Sequence, residues 1–215
     1  MTSDRTYVIV GAGQAGGWTA KTLRDEGFDG RIVLIGDEPL APHERPPLSK
    51  AVLLGEAESE SCLLWPAGTL EQAGIELRLG MRVTTIDPAT HTLTLDSGEK
   101  IAWSKLMLAT GGRARTLDAP GAHLDGVFTL RTVADAETIR PRLKEGANIV
   151  VVGAGWIGLE VAAAARKKGA NVVVTEVLDR VCARALTPDM SDWLLALHRR
   201  HGVDIRLGTV LERFS

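Results

Sequence analysis

The chain has 215 residues, 45% of them hydrophobic and 24% charged, the proportions of a folded, water-soluble protein and not of a disordered chain. Lys and Arg number 25 against 27 Asp and Glu, and the resulting net charge of -2 offers no overall field for nucleic acid or an anionic membrane surface. Two cysteines, Cys62 and Cys182, stand outside any CxxC spacing, which excludes a disulfide-stapled secreted domain and suits a reducing cytoplasm.

The apolar run Tyr7–Val10 has Asp4 before it and glycines after it, so it reads as a strand and lacks the basic flank and long core of a signal peptide. A helix follows over about residues 13–26, closed by Gly27, then a strand over 31–35 and a Pro-rich loop over 39–47, too rigid and too poor in backbone donors for regular structure. Residues 75–109 read as short strands: 75–79, 82–86, 91–95, 100–103 and 106–109. Turn signals at Asp87-Pro88 and Asp96-Ser97-Gly98 separate three of these as in an antiparallel meander. Gly111-Gly112 offers a crossing point and a domain boundary, dividing the chain into residues 1–112 and 113–215.

Beyond that point a helix over 133–143 is capped by Thr132, and strand 148–152 leads to a helix over 157–168 carrying Ile157, Val161 and Ala165 on one face. Strand 171–175 follows. A last helix has Thr187 as N-cap, Pro188 at its first position, Met190, Leu194 and Leu197 inward and Gly202 at its end, before strand 203–207. The nearly apolar stretch 149–165 is long enough to span a bilayer, but Glu160, three glycines and its division into a β-branched and an alanine-rich half predict a buried strand and helix instead. The expected fold is therefore α/β, with two Rossmann-like βαβ units and an antiparallel β-meander.

The pattern Tyr7-Val-Ile-Val-Gly-Ala-Gly-Gln-Ala-Gly16 recurs as Ile149-Val-Val-Val-Gly-Ala-Gly-Trp-Ile-Gly158, a domain's length later. Each GxGxxG follows a strand and opens a helix, the context in which the motif has meaning. Gly11 permits a tight turn, Gly13 removes the Cβ that would block a diphosphate, and Gly16 lets helix and strand pack closely, as Gly153, Gly155 and Gly158 do in the second copy. Asp37 and Glu38 end the next strand of the first unit and offer a carboxylate to a ribose; Glu176 does so in the second. A carboxylate there accepts both ribose hydroxyls and repels a 2′-phosphate, favouring NAD, while Arg180 and Arg184 just beyond leave NADP open. Two dinucleotide sites in one chain suit a flavin reduced by a nicotinamide, with hydride transfer achieved by stacking the rings in place.

Glu44-Arg-Pro-Pro-Leu-Ser-Lys50, Leu108-Ala-Thr-Gly-Gly112, Phe128-Thr-Leu-Arg-Thr132 and Gly153-Ala-Gly-Trp-Ile-Gly-Leu-Glu160 together resemble the NADH-dependent ferredoxin reductases of bacterial aromatic-ring dioxygenase systems, relatives of putidaredoxin and rubredoxin reductases. The resemblance implies a flavoprotein of glutathione-reductase-like architecture, with residues 1–112 as the first part of an FAD domain and 113–215 as an NAD domain. It also implies FAD and NAD as cofactors and a small iron–sulfur ferredoxin as partner, with no nucleic acid or membrane and an undetermined oligomeric state. By the same resemblance Gly11, Gly13, Ala15 and Gly16 hold the FAD diphosphate and Asp37 its adenosine end, with Glu38 beside it. Arg45, Lys50, Val83, Thr110, Gly111 and Arg131 are further FAD contacts. Gly153, Gly155, Ile157, Gly158, Glu176 and Arg184 form the NAD set, and Lys50 pairs with Glu160 beside the reactive edge of the flavin. A cation there favours negative charge on the ring, and a buried lysine needs such a partner to stay charged.

Members of that family continue past this length with a second FAD-binding segment and a C-terminal domain that helps dock the ferredoxin, so a C-terminal part is expected outside these residues. Two alternatives stand beside this reading: a related flavin NADH oxidoreductase with a small-molecule acceptor, and a nucleotide-binding remnant without turnover. No cysteine lies in 39–50, against a disulfide reductase, and His43, His91, His123, His198 and His201 show no metal spacing. Trp65, Trp103, Trp156 and Trp193 are expected mainly as packing residues, with Trp156 alone placed to touch nicotinamide.

Overall fold

The computed structural model describes residues 5–215. It divides into two compact units: the described residues up to Glu44 with Glu60–Gly112, and Arg45–Ser59 with Arg113–Ser215.

In the first unit, helix α1 (Gln14–Asp25) connects strands β1 (Thr6–Val10) and β2 (Arg31–Gly36), which pair in parallel as a βαβ unit. Strand β3 (Ile75–Leu79) joins β2, and β7 (Lys105–Leu108) joins β1, giving a parallel sheet of order β3-β2-β1-β7. The meander β4 (Val83–Asp87), β5 (Thr92–Leu95), β6 (Lys100–Ala102) forms a separate antiparallel sheet. Beyond their first residues, Thr6 and Arg31, the central strands carry no polar side chain on either face except the Tyr7 hydroxyl, because both sheet faces are covered. Val8, Val10, Val33 and Ile35 pack against Leu93, Leu95 and Ile101 of the meander. The alternate residues Ile9, Ile32 and Leu34 pack against Ala20 of α1 and Leu70 of the short helix α3 (Thr69–Gln72). The five strand segments predicted over 75–109 are thus shared between two sheets: the outer two carry no turn signal tying them to the meander, and their apolar runs serve the parallel sheet.

Arg45–Ser59 departs from a simple cut at Gly112 by packing into the second unit. It contains a 3₁₀ turn (Pro46–Ser49) and the single helical turn α2 (Ala51–Leu54), so regular structure begins inside the Pro-rich stretch, with Pro46 at the turn's first position where a missing N–H costs nothing. Leu53 is fully buried in a core with Ile139, Leu159, Ala162 and Ala165. Glu56 pairs with Lys167 at 2.8 Å, Glu58 with Arg140 at 3.3 Å, and Ser59 Oγ donates to Glu137 at 2.6 Å. The burial of Leu53 dominates, since the exposed ion pairs are worth only about 0–1 kcal/mol each.

The rest of that unit has α4 (Val133–Ile139), β8 (Asn148–Val152), α5 (Trp156–Lys167), β9 (Asn171–Thr175), α6 (Pro188–Arg200) and β10 (Val203–Arg206), with a parallel sheet of order β10-β9-β8. Thr132 caps α4 through a reciprocal capping box with Asp135. Gly202 takes a left-handed φ of 80° after α6, as its place at a helix end predicts. Four positions expected to pack are exposed instead: Met190 at 47%, Ile157 at 50%, Trp156 at 51% and Trp193 at 55%. The buried faces run through Leu159, Ala162 and Ala165 on α5, and through Ser191, Leu194 and Leu195 on α6. The predicted faces hold in part: Val161 and Ala165 on α5 and Leu194 on α6 pack against the core, while Ile157 and Met190, in the first turn of each helix, do not. No helix of the described residues is long and apolar enough to cross a membrane.

Candidate functional site

The two glycine turns repeat each other in local detail. Gly11 donates its N–H to Ile35 O at 2.7 Å, and Gly153 does the same to Thr175 O at 2.7 Å. Both take positive φ, 111° and 104°. A Cβ on Gly16 would lie 1.9 Å from Gly11 O, and one on Gly158 2.0 Å from Gly153 O, so these glycines bring helix and turn into contact. Gly13 and Gly155 differ: a Cβ there meets nothing within 4 Å. Each precedes a helix start with no side-chain cap, leaving helix N–H groups turned toward open space. Small residues where the protein itself needs none fit a ligand diphosphate, and the helix dipole favours it. Ala15 is exposed in the first turn of α1.

The acids behind the two turns are placed differently. In the second unit both oxygens of Glu176 are held: Oε2 accepts from Ala154 N at 2.8 Å and Oε1 from Leu178 N at 2.9 Å. A carboxylate has about four lone-pair sites, so capacity for two hydroxyl donors is left. Gly36 occupies the corresponding place in the first unit, where a Cβ would come 2.5 Å from that of Ala12. The acids therefore come one residue later: exposed Asp37 pairs with Arg82 at 3.1 Å, and Glu38 Oε2 lies 3.7 Å from buried His43. Thr110 and Gly111 follow β7 beside the first turn, since Gly11 faces Ala109 O and Thr110 N. Val83 begins β4, half-buried against the meander core.

Arg45, Lys50, Arg131, Ile157 and Glu160 come together in the second unit, lining a cavity of about 250 Å³ with Leu48, Ser49, Leu130 and Trp156. That volume suits one ring system and is small for a whole dinucleotide. Lys50 Nζ lies 2.8 Å from Glu160 Oε1, as expected, and also donates to Pro46 O at 3.1 Å. Ser49 Oγ donates to Glu160 Oε2 at 2.5 Å, and Arg45 donates to Arg131 O at 2.6 Å. No spacing in the sequence foretold the role of Ser49.

Arg180 proves to be engaged by the protein itself. Its guanidinium donates to Leu186 O at 2.7 Å, Ala183 O at 2.8 Å and Ser191 Oγ at 3.1 Å, while buried Ser191 donates to Val181 O at 2.7 Å. Arg184 is exposed. The same loop brings Cys182, at a left-handed φ of 47°, against the glycine turn, its N–H 2.9 Å from Ala154 O. Burial, and secondarily the Glu176 charge, push the Cys182 thiol up; burial also pushes up Cys62. Both are free, buried thiols.

Fold and turns together define an α/β protein with two dinucleotide folds in tandem. The chain belongs to the pyridine nucleotide-disulphide oxidoreductase family, whose model matches residues 5–215. It is similar to the rhodocoxin reductase of Rhodococcus erythropolis, 48% identical over 204 residues, covering 95% of this chain and 48% of that protein. The 3-phenylpropionate/cinnamic acid dioxygenase ferredoxin--NAD(+) reductase component of Photorhabdus laumondii is 42% identical over 206 residues, covering 96% and 52%. Among solved structures, the covalent putidaredoxin reductase–putidaredoxin complex aligns with TM-score 0.93 and 40% identity over 99% of this chain and 52% of that one. The chain spans about half the length of the curated relatives it matches.

Proposed function

We propose that this chain is the FAD- and NADH-binding part of a cytoplasmic ferredoxin reductase that takes hydride from NADH and passes electrons one at a time to a small iron–sulfur ferredoxin serving an aromatic-ring dioxygenase. The observation that carries this reading is the Lys50–Glu160 pair at 2.8 Å on a ring-sized cavity, in a chain with two open glycine turns. The relatives named as ferredoxin reductase components support the partner class.

Gly11, Gly13, Ala15 and Gly16 hold the FAD diphosphate, Asp37 and Glu38 its adenosine ribose, and Val83, Thr110 and Gly111 its adenosine side, while Arg45, Lys50 and Arg131 meet the flavin. Gly153, Gly155 and Gly158 hold the NADH diphosphate, with Ile157 and Arg184 beside it. FAD, when bound, supplies the conversion from a two-electron hydride to single electrons. Lys50 places a positive charge at the cavity, and Leu48 and Leu130 limit water there. Trp156, 51% exposed on the rim, offers a stacking face to nicotinamide. Glu176 accepts ribose hydroxyls and repels a 2′-phosphate, and Arg180 has three of its N–H groups committed to protein acceptors, which leaves it poorly placed to clamp one; both favour NADH. Dithiol chemistry has no support: thiols held protonated by burial are poor nucleophiles.

A visible spectrum of the purified chain, reconstituted with FAD, tests the reading. Flavin bands bleached anaerobically by NADH are expected, and ferredoxin-dependent cytochrome reduction by the full-length protein. A colourless chain that takes up no FAD would point to a nucleotide-binding remnant; bleaching without ferredoxin reduction would point to a small-molecule acceptor.

A further inference from the structure

The Lys50–Glu160 pair is bound together by more than its charges. Lys50 is half-exposed, its side chain 51% accessible against 29% for Glu160, and an ion pair in such a setting readily opens to water. The ammonium lies 2.8 Å from Oε1, and the terminal carboxylate torsion of glutamate is soft. Something must hold the other oxygen if the pair is to keep one geometry. Ser49 does so: it is 5% exposed, and its Oγ is 2.5 Å from Glu160 Oε2. Pro46 O is a second acceptor near that hydroxyl, at 3.5 Å, and a hydroxyl carries one proton, so the short contact takes it.

We propose that Ser49 is a positioning residue, its hydroxyl locking the Glu160 carboxylate so that the Lys50 ammonium is presented to the cavity in one orientation. This rests on the reading of that cavity as the place where flavin and nicotinamide meet. Ser49 and Lys50 are consecutive residues at the end of the 3₁₀ turn, so one short backbone segment grips both carboxylate oxygens. The turn is stiffened by Pro46 and Pro47, and Pro46 O takes a second hydrogen bond from Lys50 Nζ at 3.1 Å. The result is a closed ring of Pro46 carbonyl, ammonium, carboxylate and hydroxyl. Removal of the hydroxyl leaves a half-buried carboxylate oxygen without its protein donor, and the carboxylate then turns to find water, taking the ammonium with it.

The test is a double-mutant cycle on the chain itself, with Ser49→Ala, Glu160→Ala and the double variant compared by thermal unfolding. The proposal expects the two losses in Tm to be clearly less than additive, because each variant breaks the same bond. Should Ser49→Ala not fold, Ser49→Cys takes its place in the cycle, keeping the shape and giving up the strong donor. As a second readout, the lysine ammonium nitrogen signal of Lys50, sharp in the wild type while the pair holds it, broadens in Ser49→Ala and returns in Ser49→Thr. In FAD-reconstituted protein Ser49→Ala slows flavin reduction by about tenfold, the low end for a hydrogen bond to a charged group, with the NADH KM within about twofold. Additive Tm losses with an unchanged Lys50 signal would overturn the proposal. If wild-type protein shows no NADH-dependent flavin reduction, the reading of the cavity fails separately, while the cycle still decides whether Ser49 holds the pair.

Discussion

Gly155→Ala and Gly158→Ala make the same chemical change three residues apart, and the structure assigns them opposite consequences. At Gly155 the backbone is extended, φ -79° and ψ 179°, which alanine adopts freely, and the new Cβ meets no protein atom within 4 Å. Helix N-caps prefer Gly to Ala, while loss of unfolded-state freedom favours Ala by about 0.4–1 kcal/mol, so net stability should move by less than about 1 kcal/mol. The methyl group does occupy the space through which a diphosphate would reach the start of α5. Loss of two charge-assisted hydrogen bonds, each at the low end of about 1.5–3 kcal/mol, costs about 3 kcal/mol, or about a hundredfold in NADH affinity. At Gly158 the Cβ would sit 2.0 Å from Gly153 O, a backbone atom, so the helix must move off the strand and several degrees of Tm must be lost before any ligand is added. Titration calorimetry with NADH and a thermal melt on both variants separate the two effects. The reasoning is refuted if Gly155→Ala binds NADH within about threefold of wild type, or if it melts as early as Gly158→Ala.

Glu176→Ala should weaken NADH binding by about tenfold or more and leave FAD retention unchanged; equal loss of both, by calorimetry and absorbance, would remove Glu176 from the nicotinamide nucleotide site. Lys50→Met should slow flavin reduction in stopped-flow experiments with little change in Tm, and unchanged kinetics would take Lys50 out of the site. Leu53→Ala, at a fully buried position, should cost about 2–5 kcal/mol in denaturant unfolding, more than any one of the exposed ion pairs along Arg45–Ser59. On β3, burial raises the Glu76 carboxyl, but hydrogen bonds and charge from Arg31 and Arg78 outweigh it and hold the group below its ordinary value. Its contribution is therefore present above the unfolded-state carboxylate range and lost as pH falls through the depressed folded value. Glu76→Gln should be less stable by about 0.2–1 kcal/mol at neutral pH, with the gap closing in acid; a gap that widens in acid would contradict this.

Local order was legible along the chain. Strand, glycine turn and helix follow one another within some ten residues, so Gly11–Gly16 and Gly153–Gly158 could be read from spacing, as could the meander from Asp87-Pro88 and Asp96-Ser97-Gly98. Period-2 and period-3.6 patterns encode which elements form because they are set by the chain's own geometry. They do not encode partners distant in sequence. β3 and β7 could be read as strands, but nothing in their sequence named their partners, and only the fold pairs them in parallel with β2 and β1.

The same limit explains the site. Lys50 and Glu160 carry opposite charges in phrases that resemble a known family, so their pairing could be expected from sequence. That Arg45–Ser59 folds with the second unit depends on Leu53 finding a core more than eighty residues away, a packing event with no local signature. Sequence placed Arg180 beside Glu176 as a candidate phosphate ligand, but only the fold could show three of its five N–H groups already engaged by Leu186, Ala183 and Ser191. Serine is too common and too versatile a hydrogen-bonding residue to stand out in a sequence, so Ser49 had to be found in space. The amino-acid order by itself determined the two βαβ units, their turns and the acid that follows each. Tertiary structure decided which donors remain free and which side chains meet, because burial and long-range packing settle the competition for every polar group.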